Sequence, residues 1–166
     1  MSTYKEITEF KMPAYSELPE IDIYRDQLIA YTEKVLAPLK SGSDPFITCS
    51  MINNYVNAHI IPPTEKKRYN KEHIAYVLSI CIFKQIYSMA EIDKIVNVQL
   101  QNNNVEASYN YFCRELEGAL KSVFTLTDFQ NDSARGNMTE RYIIRHSVMA
   151  FALKLHTQKL IEEFLE

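Results

Sequence analysis

The chain predicts an all-α fold on three observations. Glycine is scarce, 3 in 166 residues, while Leu, Ile, Ala, Glu and Lys abound, a balance that favours helix over sandwich or barrel. Apolar residues recur at three- and four-residue steps along most of the chain, the period of a helix with one buried face. Finally, Phe46 to Val96 holds in order a short helix, a proline-marked turn, a cationic cluster closed by an aromatic, and a strongly apolar helix. At 166 residues this is one domain, or a small domain with an appended helical part. Such a chain buries about two-thirds of its unfolded surface and needs no disulfide or metal to hold together.

Residues 1–20 hold Pro13 and Pro19 among charges and aromatics and read as an irregular arm. Ile7, Phe10, Met12, Tyr15 and Leu18 are spaced to pack it onto the body. Asp22 then opens a helix whose inward face is Tyr24, Leu28, Tyr31 and Val35, and Pro38 ends it. Lys40 to Pro45 is a loop. Thr48 N-caps the next helix, which buries Met51, Ile52, Tyr55 and Val56 and turns Ser50, Asn53, Asn54 and Asn57 outward. A solvated face more usually carries Glu or Lys. A row of Ser and Asn is either a merely polar surface or one that hydrogen-bonds base edges, as Asn does with adenine.

His59 stands where a helix C-cap glycine is expected, and His tolerates positive φ better than most residues. Its place there is structural, not catalytic. Ile60-Ile61-Pro62-Pro63 leaves the helix extended, because a residue before proline avoids the α region. Lys66, Lys67 and Arg68 follow, and Tyr69 is placed to plug them back to the core. A basic triplet on a loop is often just solvated; directly after a polar-faced helix it reads better as a wing on phosphates.

Asn70 caps a helix from Lys71 to about Tyr87 with the stripe Ile74, Val77, Leu78, Cys81 and Ile82. Ser88 and Glu91 form a capping box for the next, whose apolar side is Ile92, Ile95, Val96 and Leu100. Gln101 to Asn104 is a polar stop and the best internal boundary. Beyond it Val105, Tyr109, Phe112, Leu116, Leu120 and Val123 line one face of a long helix. Asn131 to Asn137 reads as a loop, and a last helix runs from Met138 to the end. There Ile144, Val148, Phe151 and Leu155 make one stripe, and Ile143, Met149, Ala150 and Leu153 widen it. An apolar face so wide needs cover on more than one side. A second copy is the expected cover, so the chain is expected to be a homodimer; the alternative is cover by the arm and first helix of the same chain.

The net charge of −3 argues against a nonspecific nucleic-acid binder. The balance is uneven, however. Residues 1–45 carry five basic and eight acidic side chains (−3), 46–96 six and four (+2), and 97–166 seven and nine (−2). Only the segment with the helix-turn-helix order is positive. Cys49, Cys81 and Cys113 sit in apolar helical stretches without a Cys or His at ligand spacing, as buried reduced thiols would. The N-terminus lacks the apolar run of a signal peptide, and Ala75–Phe83 is too short to span a bilayer. The expectation is a soluble cytoplasmic protein with no membrane partner.

No nucleophile elbow, glycine-rich phosphate loop, HExxH or paired Cys-x-x-Cys occurs. His146 and His156 are ten residues apart and share no ligand face, and Asp128 and Asp132 lack the other ligands of a calcium site. The expectation is a non-enzyme with no metal and no cofactor.

The block Met51-Ile52-Asn53-Asn54-Tyr55, Ile60-Ile61-Pro62-Pro63, Glu65-Lys66-Lys67-Arg68-Tyr69 and Glu72-His73-Ile74-Ala75 resembles a bacterial family known as domain of unknown function eighteen thirty-six, over about residues 20–135. That family is similar in turn to the DNA-binding half of MerR regulators. Their pattern is a helix ending in an aromatic, a turn, a basic wing closed by Tyr, a long helix, and a short helix of the form S-x-x-E-I. Here the last is Ser88-Met89-Ala90-Glu91-Ile92. Ser50 and Asn53 stand where MerR recognition helices carry Arg, and His59 stands at the turn glycine.

The resemblance implies a MerR-like winged helix-turn-helix at 46–100, flanked by an arm and helix at 1–45 and a helical, dimerising region at 101–166. It implies a bacterial transcriptional regulator that binds double-stranded DNA. Base contacts fall to Ser50, Asn53 and Asn54, phosphate contacts to Lys66, Lys67 and Arg68, and Thr48 serves as N-cap and phosphate ligand. The competing reading is a protein-interaction module that keeps the fold without binding DNA.

Overall fold

A computed structural model describes residues 2–129 and 137–165. Among them are seven α-helices: α1 (Ser2–Thr8), α2 (Arg25–Leu36), α3 (Cys49–Asn57), α4 (Lys71–Phe83), α5 (Met89–Leu100), α6 (Val105–Thr125) and α7 (Met138–Leu165). Two short strands, β1 (Ile23–Tyr24) and β2 (Arg68–Tyr69), pair antiparallel, Ile23 with Tyr69 and Tyr24 with Arg68. Among the described residues the fold is all-α apart from this ribbon.

The helix at the centre is α4. Nine of its thirteen residues are buried, on every side of its axis, which is possible only when neighbours surround it. Its sequence explains this: from Ile74 to Phe83 only Tyr76 and Ser79 interrupt an apolar run, and Ser79 Oγ donates to the Ala75 carbonyl inside its own helix. Helices α2, α6 and α7 and the strand β2 all pack on it. The buried residues form one continuous cluster from Ile7 to Leu155.

Helices α6 and α7 lie side by side and run in the same direction. Glu115 meets Arg145 at 2.7 Å, and Phe124, further along α6, packs on His156, further along α7, centroids 4.6 Å apart. The chain must therefore return between them. Leu126 ends α6 in the left-handed region at φ 55°, and Phe129 comes back to lie over Gly118 and under the Arg145 guanidinium. A Cβ on Gly118 would stand 3.3 Å from the Phe129 ring, so the bare backbone there is what admits it. The expected loop at Asn131–Asn137, with Asp132, lies outside the described residues up to residue 136.

Three expectations are corrected. The arm is not wholly irregular: it begins as α1, and Ile7, Phe10, Met12 and Leu18 are buried as their spacing implied, while Tyr15 is half-buried. The next helix starts at Arg25, not Asp22, and Tyr24 is 54 % exposed and belongs to β1, not to the buried face. Leu28 is buried as expected, with Thr32 and Leu36, while Tyr31 and Val35 pack half-buried at the edge of the inward face. Helix α4 ends at Phe83, and Lys84–Tyr87 continue as a turn whose amides bond back to Ile80, Ile82 and Phe83.

No helix among the described residues is long and apolar enough to cross a membrane. All three cysteines are reduced, but only Cys81 and Cys113 are buried; Cys49 is half-exposed. Burial pushes the Cys113 thiol up to about 12 and the Cys81 thiol higher still. A thiolate-directed reagent at pH 8 is therefore expected to titrate one thiol per native chain and three after unfolding. Prompt reaction of all three in the native protein would contradict the packing around α4 and α6.

Candidate nucleic-acid interface

The sequence-predicted residues gather around α3 and the turn that leads to α4. Thr48 caps α3 as expected: its Oγ1 accepts the Met51 N–H at 3.2 Å. Ile52 and Tyr55 are buried, whereas Met51 and Val56 are only half-buried at the edges of the inward face. Ser50, Asn53, Asn54 and Asn57 are all exposed. Their spacing, i, i+3, i+4 and i+7, puts them in one polar row opposite the core.

The helix ends at a left-handed residue, and that residue is His59 at φ 56°. The Ile60 N–H bonds to the Tyr55 carbonyl at 3.0 Å, the six-to-one closure of a helix C-terminus, and Ile60 and Ile61 then dive into the core. His73, 5 % exposed, holds the proline turn in place. Its Nδ1 accepts the Asn70 N–H at 3.1 Å, so its Nε2 carries the proton and donates to the Pro62 carbonyl at 3.0 Å. The Asn70 side chain accepts the His73 N–H in return. One buried imidazole thus ties the end of the proline turn to the start of α4. Sequence reasoning passed over it, although Asn70-x-x-His73 is the capping-box spacing with His in place of Glu.

Between these anchors the cationic segment makes a two-residue turn. The Arg68 N–H bonds to the Glu65 carbonyl at 2.9 Å, and Lys66 and Lys67 both lie in the left-handed region, at φ 49° and 57°. Turns of this geometry favour Asn-Gly, and each Lys carries a left-handed cost of about 1–2 kcal/mol. Tyr69 is buried and packs edge-on to His73, so the turn is plugged to the core as expected.

Two residues that sequence reasoning did not assign join the site. Tyr24, across the ribbon from Arg68, accepts a hydrogen bond from its Nη2 at 3.0 Å and lies under its guanidinium. Arg25, the first residue of α2, reaches toward α3, with Nη1 3.5 Å from Asn53 Oδ1. No pattern in the sequence marked them, because β1 is two residues long, too short for an alternation to show. Tyr24, Arg25, Asp26, Asn53, Val56, Asn57, Thr64, Lys67 and Tyr69 line a groove of about 490 Å³. Of the predicted residues, Asn53 and Lys67 meet in it. Ser50 and Asn54 continue the row on α3, Lys66 shares the turn with Lys67, Arg68 follows it, and Thr48 stays at the cap. Asp26 is the one carboxylate among the lining residues.

A family described as Domain of unknown function (DUF1836) matches residues 13–112. That segment holds α2 to α5, the ribbon and the groove. The chain belongs to the DUF1836 family. No curated protein matches the chain, and no solved structure does. The DUF1836 match stops within α6 and leaves α7 outside. Among the described residues, no three His, Cys, Asp or Glu side chains gather to hold a metal ion.

The left-handed turn yields a test. Replacing Lys66 with Asn and Lys67 with Gly is expected to raise the unfolding free energy by roughly 1–2 kcal/mol, because both new residues accept positive φ. Urea titration reads it. Unchanged or lower stability would contradict the turn.

Proposed function

We propose that this DUF1836 protein is a cytoplasmic bacterial transcriptional regulator that binds double-stranded DNA through a MerR-like winged helix-turn-helix. In this reading α3 is the recognition helix, and the Glu65–Arg68 turn with its β1–β2 ribbon is the wing. The organisation is an arm and helix at 1–45, a reading head at 46–100 and a dimerising region at 101–166. The observation that carries the proposal is the shared groove: a polar row with no carboxylate and a cationic turn open onto the same side of the molecule. Ser50, Asn53 and Asn54 offer donors and acceptors to base edges, while Lys66, Lys67 and Arg68 offer cations to phosphates. The Thr48 hydroxyl, whose oxygen accepts from Met51, keeps its proton for a phosphate.

Arg25 supports the reading further. The row on α3 lacks an arginine, and the first residue of α2 brings one beside Asn53. The strained lysines support it as well, since a residue type that costs stability at a turn is kept where its charge has a use. A single head of this size covers one half-site, so two copies related by a two-fold axis complete the reader.

The second reading, a protein-interaction module, is favoured by Asp26 in the groove and by the net charge of −3. Salt-dependent affinity for mixed duplex fragments separates the two. DNA binding predicts a steep fall in affinity with salt, and Lys67→Ala with Arg68→Ala lowers the slope by about two units on every sequence alike. Asn53→Ala is expected to relax preference at one base position, by on the order of 1–3 kcal/mol. No duplex binding at low salt would leave the interaction module.

A further inference from the structure

We infer that α7 carries a self-complementary surface on which a second copy of this chain docks antiparallel, across a two-fold axis at Leu153. Of the wide apolar face expected on this helix, the stripe Ile144, Val148, Phe151 and Leu155 is buried within the chain by α4, α5 and α6. A second stripe is not. Tyr142, Leu153, Leu160 and Phe164 are 49, 52, 49 and 88 % exposed, His146 is exposed and Met149 is half-buried. At 3.6 residues per turn these six lie within about 60° of one another around the helix. Ile161 and Leu165, 53 and 78 % exposed, widen the stripe toward the C-terminus. The end of α7 also outruns its neighbour: His156 lies level with Phe124, where α6 is about to end, and α7 continues to Leu165.

Area and symmetry point to a second copy. Six exposed apolar side chains, Tyr142, Leu153, Leu160, Ile161, Phe164 and Leu165, two of them from a class that buries roughly 150–250 Å² each, leave several hundred Å² open. One partner of a standard interface loses about 800 Å², and monomers seldom expose an apolar patch that large. The stripe is also symmetric about Leu153. Tyr142 and Phe164 are each eleven residues from it, His146 and Leu160 each seven. A two-fold axis there places Leu153 on the partner's Leu153, Tyr142 on the partner's Phe164 and His146 on the partner's Leu160. Parallel pairing would instead bring both copies' Glu162 and Glu163 together; antiparallel pairing sets them at opposite ends. Lys154, beside the axis position in sequence, donates to the Gln85 carbonyl at 2.5 Å and so turns its charge away from the seam.

This surface rests on the homodimer in the proposed function and not on DNA binding, so the test uses no DNA. Sedimentation equilibrium of the full chain is expected to give twice 19.4 kDa. In a Cys49→Ser background, Leu153→Cys is expected to form a disulfide dimer on mild oxidation. Phe164→Cys alone should not, whereas Phe164→Cys mixed with Tyr142→Cys should. Leu153→Glu with Leu160→Glu should sediment as a monomer with unchanged helicity. A monomeric parent overturns the surface and the homodimer together. A dimeric parent in which Leu153→Cys fails to crosslink, or in which Phe164→Cys crosslinks to itself, overturns this surface and register and leaves the homodimer.

Discussion

The burial of α4 is the constraint around which α2, β2, α6 and α7 pack, and the remaining elements pack on those. A helix apolar around its whole circumference cannot rest on a surface, so the chain must build walls around it. Helix α2 supplies one, α6 and α7 supply another, and Tyr69 with Ile60 and Ile61 closes the end from which the cationic turn projects. Fully burying a Val, Leu or Ile contributes about 1.5–3 kcal/mol before conformational entropy is set against it. Several such residues on one helix outweigh the few kcal/mol of strain at Lys66 and Lys67. The core therefore holds the turn in a conformation that its own sequence disfavours.

The start of α4 sets the site's geometry through few contacts. His73 reaches back to the proline carbonyls that follow α3 and shares reciprocal hydrogen bonds with Asn70, the residue after the ribbon. The separation between the polar row on α3 and the cations on the turn is thus fixed from one buried side chain. The ribbon adds a connection from farther away in sequence. By pairing with Arg68–Tyr69, the segment Ile23–Tyr24 carries Arg25 to the rim of the groove. Three stretches that are remote in the chain contribute to one concave face, and only the fold brings them there.

What was legible in the sequence was local. Thr48, Asn70 and Ser88 announced their helices because a cap bonds within three residues of itself. The inward faces of α3 and α6 followed from period, whereas the stripe read on α4 was only part of its burial. His59 at positive φ followed from its place at the end of a helix before an apolar pair. What escaped was either too short for a period or nonlocal. Helix α1 spans seven residues, and β1 spans two and pairs with residues more than forty positions away. The parallel course of α6 and α7 shows in contacts such as Glu115 with Arg145 and Phe124 with His156, about thirty positions apart, which no pattern in either helix reveals. The candidate site divides the same way: its α3 row and its cations were readable, while Tyr24 and Arg25 required the ribbon.

The central claim is that the face formed by α3, the cationic turn and the start of α2 meets duplex DNA. Amide chemical-shift mapping tests it most directly, because it reports location as well as binding. Adding duplex DNA at low salt should shift the amides of residues 24–26, 48–57 and 64–69, and leave the buried face of α7 unmoved. Shifts confined to other surfaces, or no shift at all, would contradict the claim.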